Sequence, residues 1–134
     1  MSATGMTLYD LLCRSASVHA TRPAVHCDKG SFSYPELLSR VERLANGLSS
    51  LGHAPGQRVC VLAQNSVEYF ELYFACAKLG LVVYPINWRL TANEIGHVLT
   101  RAAPVVMVYD LAMAEVANEV RGLEPAAAVE QWIC

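Results

Sequence analysis

The sequence predicts an α/β fold, a mostly parallel sheet with flanking helices and a small amino-terminal hairpin, and three observations carry that expectation. From Arg58 onward, short apolar runs alternate with helical patterns, each unit roughly two dozen residues long, the length of one strand and its return helix. Between Pro23 and Ser33, two short extended runs flank Asp28-Lys29-Gly30, a tight-turn composition. Three helix starts carry reciprocal caps, Thr7 with Asp10, Ser33 with Glu36 and Thr91 with Glu94, in which each side chain satisfies the other residue's free backbone donor.

Taken in order, the Thr7 cap opens a helix with Leu8, Leu11, Leu12 and Ala16 on one face, expected to run to about Ala20. Pro23 ends it, and Ala24–Cys27 and Ser31–Ser33 form the hairpin. Ser33-Tyr34-Pro35-Glu36 then starts a second helix, on which Leu37, Val41, Leu44, Leu48 and Leu51 recur at helical spacing, with Gly52 expected as its carboxyl cap. Val59–Ala63, Leu81–Tyr84 and Val105–Tyr109 are apolar at nearly every position, as strands buried on both faces are. A helix over 66–79, with Asn65 expected as its cap, and another opened by Thr91 and Glu94, with Ile95, Val98, Leu99 and Ala102 on its inner face, separate them. A helix near Ala112–Arg121 and a strand near Val129–Cys134 complete the pattern.

The helix over 66–79 is apolar around most of its circumference, with Glu68, Glu71 and Lys78 as a narrow polar stripe expected to face solvent. Such a helix is normally surrounded, so a covering partner or the remainder of a longer protein is expected on it. The overall composition agrees, being 54% hydrophobic and only 16% charged.

Bulk features exclude several functions. A net charge of −2 with scattered basic residues gives no stripe for nucleic acid. Met1–Met6 has no basic residues ahead of an apolar stretch, and the longest apolar run is far short of the roughly 18 residues of a membrane span. A soluble, cytoplasmic protein is expected. The five cysteines are odd in number, widely spaced and expected as buried free thiols. The four histidines fall at no ligand spacing, so no metal site is expected.

In an open α/β sheet, ligands bind beyond the carboxyl ends of the strands, which directs attention to Gln64-Asn65-Ser66, Pro85–Leu90 and Asp110. The first of these loops has no glycine, which argues against a dinucleotide turn or a phosphate cradle, and so against a small flavodoxin-like nucleotide binder. Asp110 is expected to cap the next helix. No nucleophile elbow or acid–base couple can be assembled from spacing, so no catalytic residue is expected in this chain.

The most specific segment is Leu79–Glu94, LGLVVYPINWRLTANE. It resembles the adenylate-forming enzymes, in which a helix ending Lys-x-Gly leads into a strand ending Pro-x-Asn, then x-Arg-Leu and a helix carrying an acidic residue. Pro23-Ala24-Val25, Phe32–Leu37, the approach from Gly52 to Val59, and Asn65-x-x-Glu68 follow the same order, so the resemblance covers almost the whole chain. Asn87, where peptide-synthetase adenylation domains commonly have aspartate, points to the AMP-forming acyl- and aryl-CoA ligases. Gln57, in place of a usual aspartate, and Leu81, in place of a small residue, are minor departures.

The resemblance implies that residues 1–134 are the amino-terminal portion of a large AMP-binding domain, without its carboxyl-terminal lid. It implies an acid–thiol ligase using ATP, Mg²⁺ and CoA: a carboxylate attacks the α-phosphate to give an acyl-adenylate and pyrophosphate, and the CoA thiol then displaces AMP. The phosphate-binding loop, adenine segment, ribose aspartate and lid lysine of such enzymes have no counterpart here, so this chain alone is expected to be inactive. It further implies that Arg89 contacts the phosphates of CoA, a role to which a guanidinium fork is suited. The simpler expectation is that Arg89 pairs locally with Glu94 or another surface acid, and that Trp88 seals the sheet edge. A non-catalytic interaction module derived from such a domain is the alternative reading.

Overall fold

The computed structural model describes residues 5–134; Met1–Thr4, read above as lacking a secretory signal, lie outside the described residues. Two compact units make up the chain, one formed by residues up to His53 together with Ser66–Gly80, the other by Ala54–Asn65 together with Leu81–Cys134.

The first unit contains helices α1 (Leu8–Val18), α2 (Tyr34–Ser49) and α3 (Val67–Leu79) with the antiparallel hairpin β1 (Pro23–Cys27) and β2 (Gly30–Ser33). Both caps expected at Thr7 and Ser33 are closed boxes. α1 stops at Val18, slightly short of the expected end. α2 ends at Ser49, so Gly52 is not its cap; it takes φ +78° in the turn that follows, a conformation costly for any residue with a Cβ. α3 is capped by Ser66, whose hydroxyl accepts from the Tyr69 N–H, and not by Asn65 as the sequence suggested. Both residue types cap well; Glu68, the expected reciprocal partner of Asn65, is engaged by Lys29 of the hairpin turn instead.

α3 packs against α1 and α2, with Leu12, Leu37, Val41, Ala45, Leu48, Leu72 and Cys76 buried. Its polar stripe faces solvent at Glu68 and Lys78, as expected, but not at Glu71. Glu71 is only 5% exposed and receives a two-pronged hydrogen bond from Arg40 of α2. Arg40 also lies 4.0 Å from Glu68 and sits over the Phe32 ring at 4.7 Å. Lys78 stands 3.8 Å from Glu42, which accepts from the Tyr9 hydroxyl at 2.8 Å. The stripe is therefore an ion-pair seam between helices, which a helical-wheel reading of α3 alone cannot reveal. Of the large apolar side chains of α3, Phe70 stays exposed, beside Leu8 and Leu11 in an open apolar groove of about 250 Å³.

The second unit is a four-stranded sheet in the order β4-β3-β5-β6, parallel throughout, from β3 (Arg58–Leu62), β4 (Val82–Pro85), β5 (Val106–Tyr109) and β6 (Gln131–Ile133). Helices α4 (Ala92–Ala102) and α5 (Ala114–Arg121) and two 3₁₀ turns, Leu111–Met113 and Glu124–Ala128, connect the strands. Cys60, Leu62, Ile95, Leu99, Ala102, Met107 and Val120 form one buried cluster, so the Thr91 cap launches a helix whose inner face is the one expected. β3 is buried along its length after Arg58, as its composition predicts. β4 departs from that expectation: it lies at the sheet edge, with Val82 44% exposed. A continuous apolar run does not distinguish an edge strand from a central one, but Pro85 does, because a residue without an N–H is tolerated where no neighbouring strand needs its donor. No helix among the described residues is long and apolar enough to cross a membrane.

Candidate functional site at the carboxyl edge of the parallel sheet

Of the strand-end segments singled out in the sequence, Gln64-Asn65, Pro85–Leu90 and Asp110 belong to the second unit and follow strands that are neighbours in the order β4-β3-β5. The end of β3 is hydrogen-bonded to both flanks: Ile86 N–H donates to the Val61 carbonyl at 2.9 Å, and Asp110 N–H to the Leu62 carbonyl at 3.2 Å. Asp110 caps the 3₁₀ turn as expected, its Oδ1 accepting from Met113 N–H at 3.0 Å. Its second oxygen makes a long-range bond that local spacing does not signal, accepting the Gln64 N–H at 2.8 Å.

After β4 the chain turns sharply. The Asn87 side chain accepts from the Arg89 N–H at 3.0 Å, and its carbonyl accepts from Leu90 N–H at 3.1 Å, a local hydrogen-bonding mode for which asparagine is well suited. This turn presents Arg89 outward. Its guanidinium lies over the Trp88 indole, 4.4 Å from the ring centre, while Trp88 packs half-buried on the core cluster. Trp88 thus covers the sheet edge, and Arg89 does not pair with Glu94. Glu94 is committed to the cap: it accepts from the Thr91 N–H at 2.8 Å and hydroxyl at 2.9 Å, and the backbone hydrogen bond holds its carboxyl below the usual range. Arg89 is an exposed cation with no carboxylate partner among the described residues, its orientation fixed by a ring. Such a group fits a phosphate or another anion.

The other candidates offer no chemistry. Among the described residues, no group of three His, Cys, Asp or Glu could hold a metal ion. The strand-end segments contain no glycine whose backbone could cradle a triphosphate, so these residues do not themselves fit Mg-ATP. Cys60 and Cys76 are buried, and desolvation pushes both thiols up to about 12, which makes them inert at neutral pH. Contrary to expectation, Cys13 and Cys27 are half-buried and Cys134 is exposed; all five are free. His26 approaches the Ser31 hydroxyl at 2.5 Å across the hairpin, on its surface.

Comparison with known proteins agrees with this geometry. The chain is 44% identical over 92 residues to a fatty acid–acyl-carrier-protein ligase of Streptomyces coeruleorubidus, covering 66% of this chain and 18% of that protein. It is 42% identical over 93 residues to a feruloyl-CoA synthase of an Amycolatopsis species, covering 69% and 18%. The solved structure of a Mycobacterium tuberculosis fatty acyl CoA synthetase superposes with a TM-score of 0.89 at 32% identity, covering 95% of this chain and 26% of that one. The chain therefore spans about a fifth of the length of the relatives it matches. The family model for AMP-binding enzymes matches residues 12–133, and the chain belongs to that adenylate-forming family.

Proposed function

We propose that residues 1–134 are the amino-terminal portion of the large AMP-binding domain of an acid–thiol ligase, which activates a fatty or aryl acid as its acyl-adenylate and passes it to the thiol of CoA. The match over residues 12–133 carries this reading, together with relatives whose names describe fatty-acid and feruloyl ligases. ATP with Mg²⁺ supplies the adenylyl group and CoA the accepting thiol. Both are bound mainly by parts of the ligase outside this chain, consistent with the glycine-free strand ends and the lack of a metal-ligand cluster among the described residues. The described chain serves as scaffold, and its remaining partner is the rest of the ligase, which covers the groove lined by Leu8, Leu11 and Phe70. A cytoplasmic setting accords with five free cysteines.

Within this chain, Arg89 is the residue that meets a ligand. Stacked on Trp88 and unpaired with any described carboxylate, its guanidinium contacts a phosphate of CoA. Arg89→Ala in the complete ligase is expected to raise the apparent KM for CoA about tenfold, the loss of one charge-assisted hydrogen bond, while ATP–pyrophosphate exchange stays near wild type. Equal loss in both half-reactions would overturn the assignment. A second acceptor is favoured by one observation, the 44% identity to a ligase that charges an acyl carrier protein. Assaying thioester formation with CoA beside a phosphopantetheinylated carrier protein decides between the two thiols.

A further inference from the structure

A helix cap needs one acceptor, and Ser, Thr or Asn would supply it for the turn at Leu111–Met113. Asp110 supplies two, and the second reaches a residue far away in sequence. Its Oδ1 serves the Met113 N–H, its Oδ2 takes the Gln64 N–H at 2.8 Å, and its own N–H donates to Leu62. One carboxylate oxygen and the backbone N–H of Asp110 thereby join the ends of β3 and β5, while the other oxygen holds the 3₁₀ turn. The end of β3 is in turn bonded to the start of the Arg89 turn through Val61 and Ile86. In the strand order, the Gln64 loop stands between Asp110 and the Arg89 turn. Around Gln64 the chain is otherwise lightly held: Gln64 and Asn65 are exposed, and the Gln64 N–H depends on Asp110 for its partner.

We infer that Asp110 is a positioning residue of the carboxyl edge: its second oxygen fixes the Gln64 loop, and through it the turn that carries Arg89, in the geometry the acceptor phosphate requires. This inference rests on the reading of Arg89 as a CoA contact. A carboxylate is the side chain suited to it, because an amide in the same place would turn an N–H toward one of the two donors and a hydroxyl reaches only one of them.

The test uses the complete ligase with CoA as the probe and takes the bond away from each side. Asp110→Ser keeps an acceptor for Met113 and loses the one for Gln64; Gln64→Pro removes the donor and leaves the Met113 cap untouched, with Gln64→Ala as its reference. Both Asp110→Ser and Gln64→Pro are expected to raise the apparent KM for CoA about fivefold over wild type and Gln64→Ala respectively, the scale of a small misplacement of a binding group. ATP–pyrophosphate exchange is expected to stay within about twofold, since that half-reaction does not use the acceptor. If both variants lower the unfolding midpoint and leave the KM for CoA unchanged, Asp110 is a structural cap and the inference falls. Arg89→Ala, assayed alongside, separates the two ideas. An effect of Arg89→Ala with none from the other two defeats the positioning role alone, whereas no effect from any of the three defeats the Arg89 assignment on which it stands.

Discussion

In the helical unit, α2 and α3 meet through Arg40 and a Glu71 carboxylate withdrawn from water, with Lys29, Glu68, Glu42 and Lys78 around them. In the sheet unit, the corresponding central contacts are hydrocarbon: Ile95, Leu99, Leu62, Met107 and Val120 are each 1% exposed or less, and none has a charged neighbour inside the cluster. Apolar burial is additive and non-directional, so the sheet unit tolerates changes in shape that conserve volume. A buried ion pair is directional and costly to desolvate, so the helical unit depends on both partners being present. The two units should therefore fail in different ways.

The largest effect is expected in the sheet unit. Ile95→Ala leaves a cavity in its cluster and should cost about 3–4 kcal/mol, read as a fall in the urea midpoint. Arg40→Ala should cost the helical unit about 2–3 kcal/mol, because it strands the Glu71 carboxylate, whereas the double change Arg40→Met with Glu71→Leu should restore stability to within about 1 kcal/mol of the parent. A double variant as unstable as the single one would show that packing, and not charge, sets the α2–α3 contact.

Acid should also divide the units. Asp10, Glu36 and Glu94 are held below the usual carboxylate range by backbone hydrogen bonds from Thr7, Ser33 and Thr91, and Glu68 by its bond from Lys29. A folded carboxyl that binds its proton more weakly than the unfolded one contributes stability that is present above the unfolded value, about 4, and lost as pH falls through the lowered folded value. Three of the four lie in the helical unit, so amide exchange there should accelerate before that of β3 and β5 as pH drops below about 4. Simultaneous acceleration in both units would contradict the comparison. The smallest effect belongs to Lys29→Ala: both members of that pair are exposed, and the urea midpoint should not move measurably.

How much of this was legible in the sequence depends on how local the physics is. The closed boxes at Thr7, Ser33 and Thr91 involve residues three apart, and all three form as read. α3 starts one residue later than the Asn65-x-x-Glu68 spacing suggests, at a Ser66 cap that is equally local, while Glu68 is engaged by Lys29 of the hairpin. Glu71 looked solvated because its partner Arg40 sits on another helix, 31 positions away. At the candidate site, the Arg89 turn was visible as a motif, but its stacking on Trp88 in preference to pairing with Glu94 follows from the cap having already engaged that carboxylate. The bond from Gln64 to Asp110 spans 46 positions and leaves no mark in local spacing.

The edge strand β4 has a consequence for how this protein behaves in concentrated solution. Val82 and Ile86 direct their N–H groups inward to Gln57 and Val61 of the adjoining strand segment, and alternation along a strand then turns residues 83 and 85 outward. Position 85 is proline, so along Val82–Pro85 the outward side carries a single donor, that of Val83. A stray strand approaching Val82–Pro85 finds one backbone donor there, and the N–H missing at Pro85 weakens the ladder it could build.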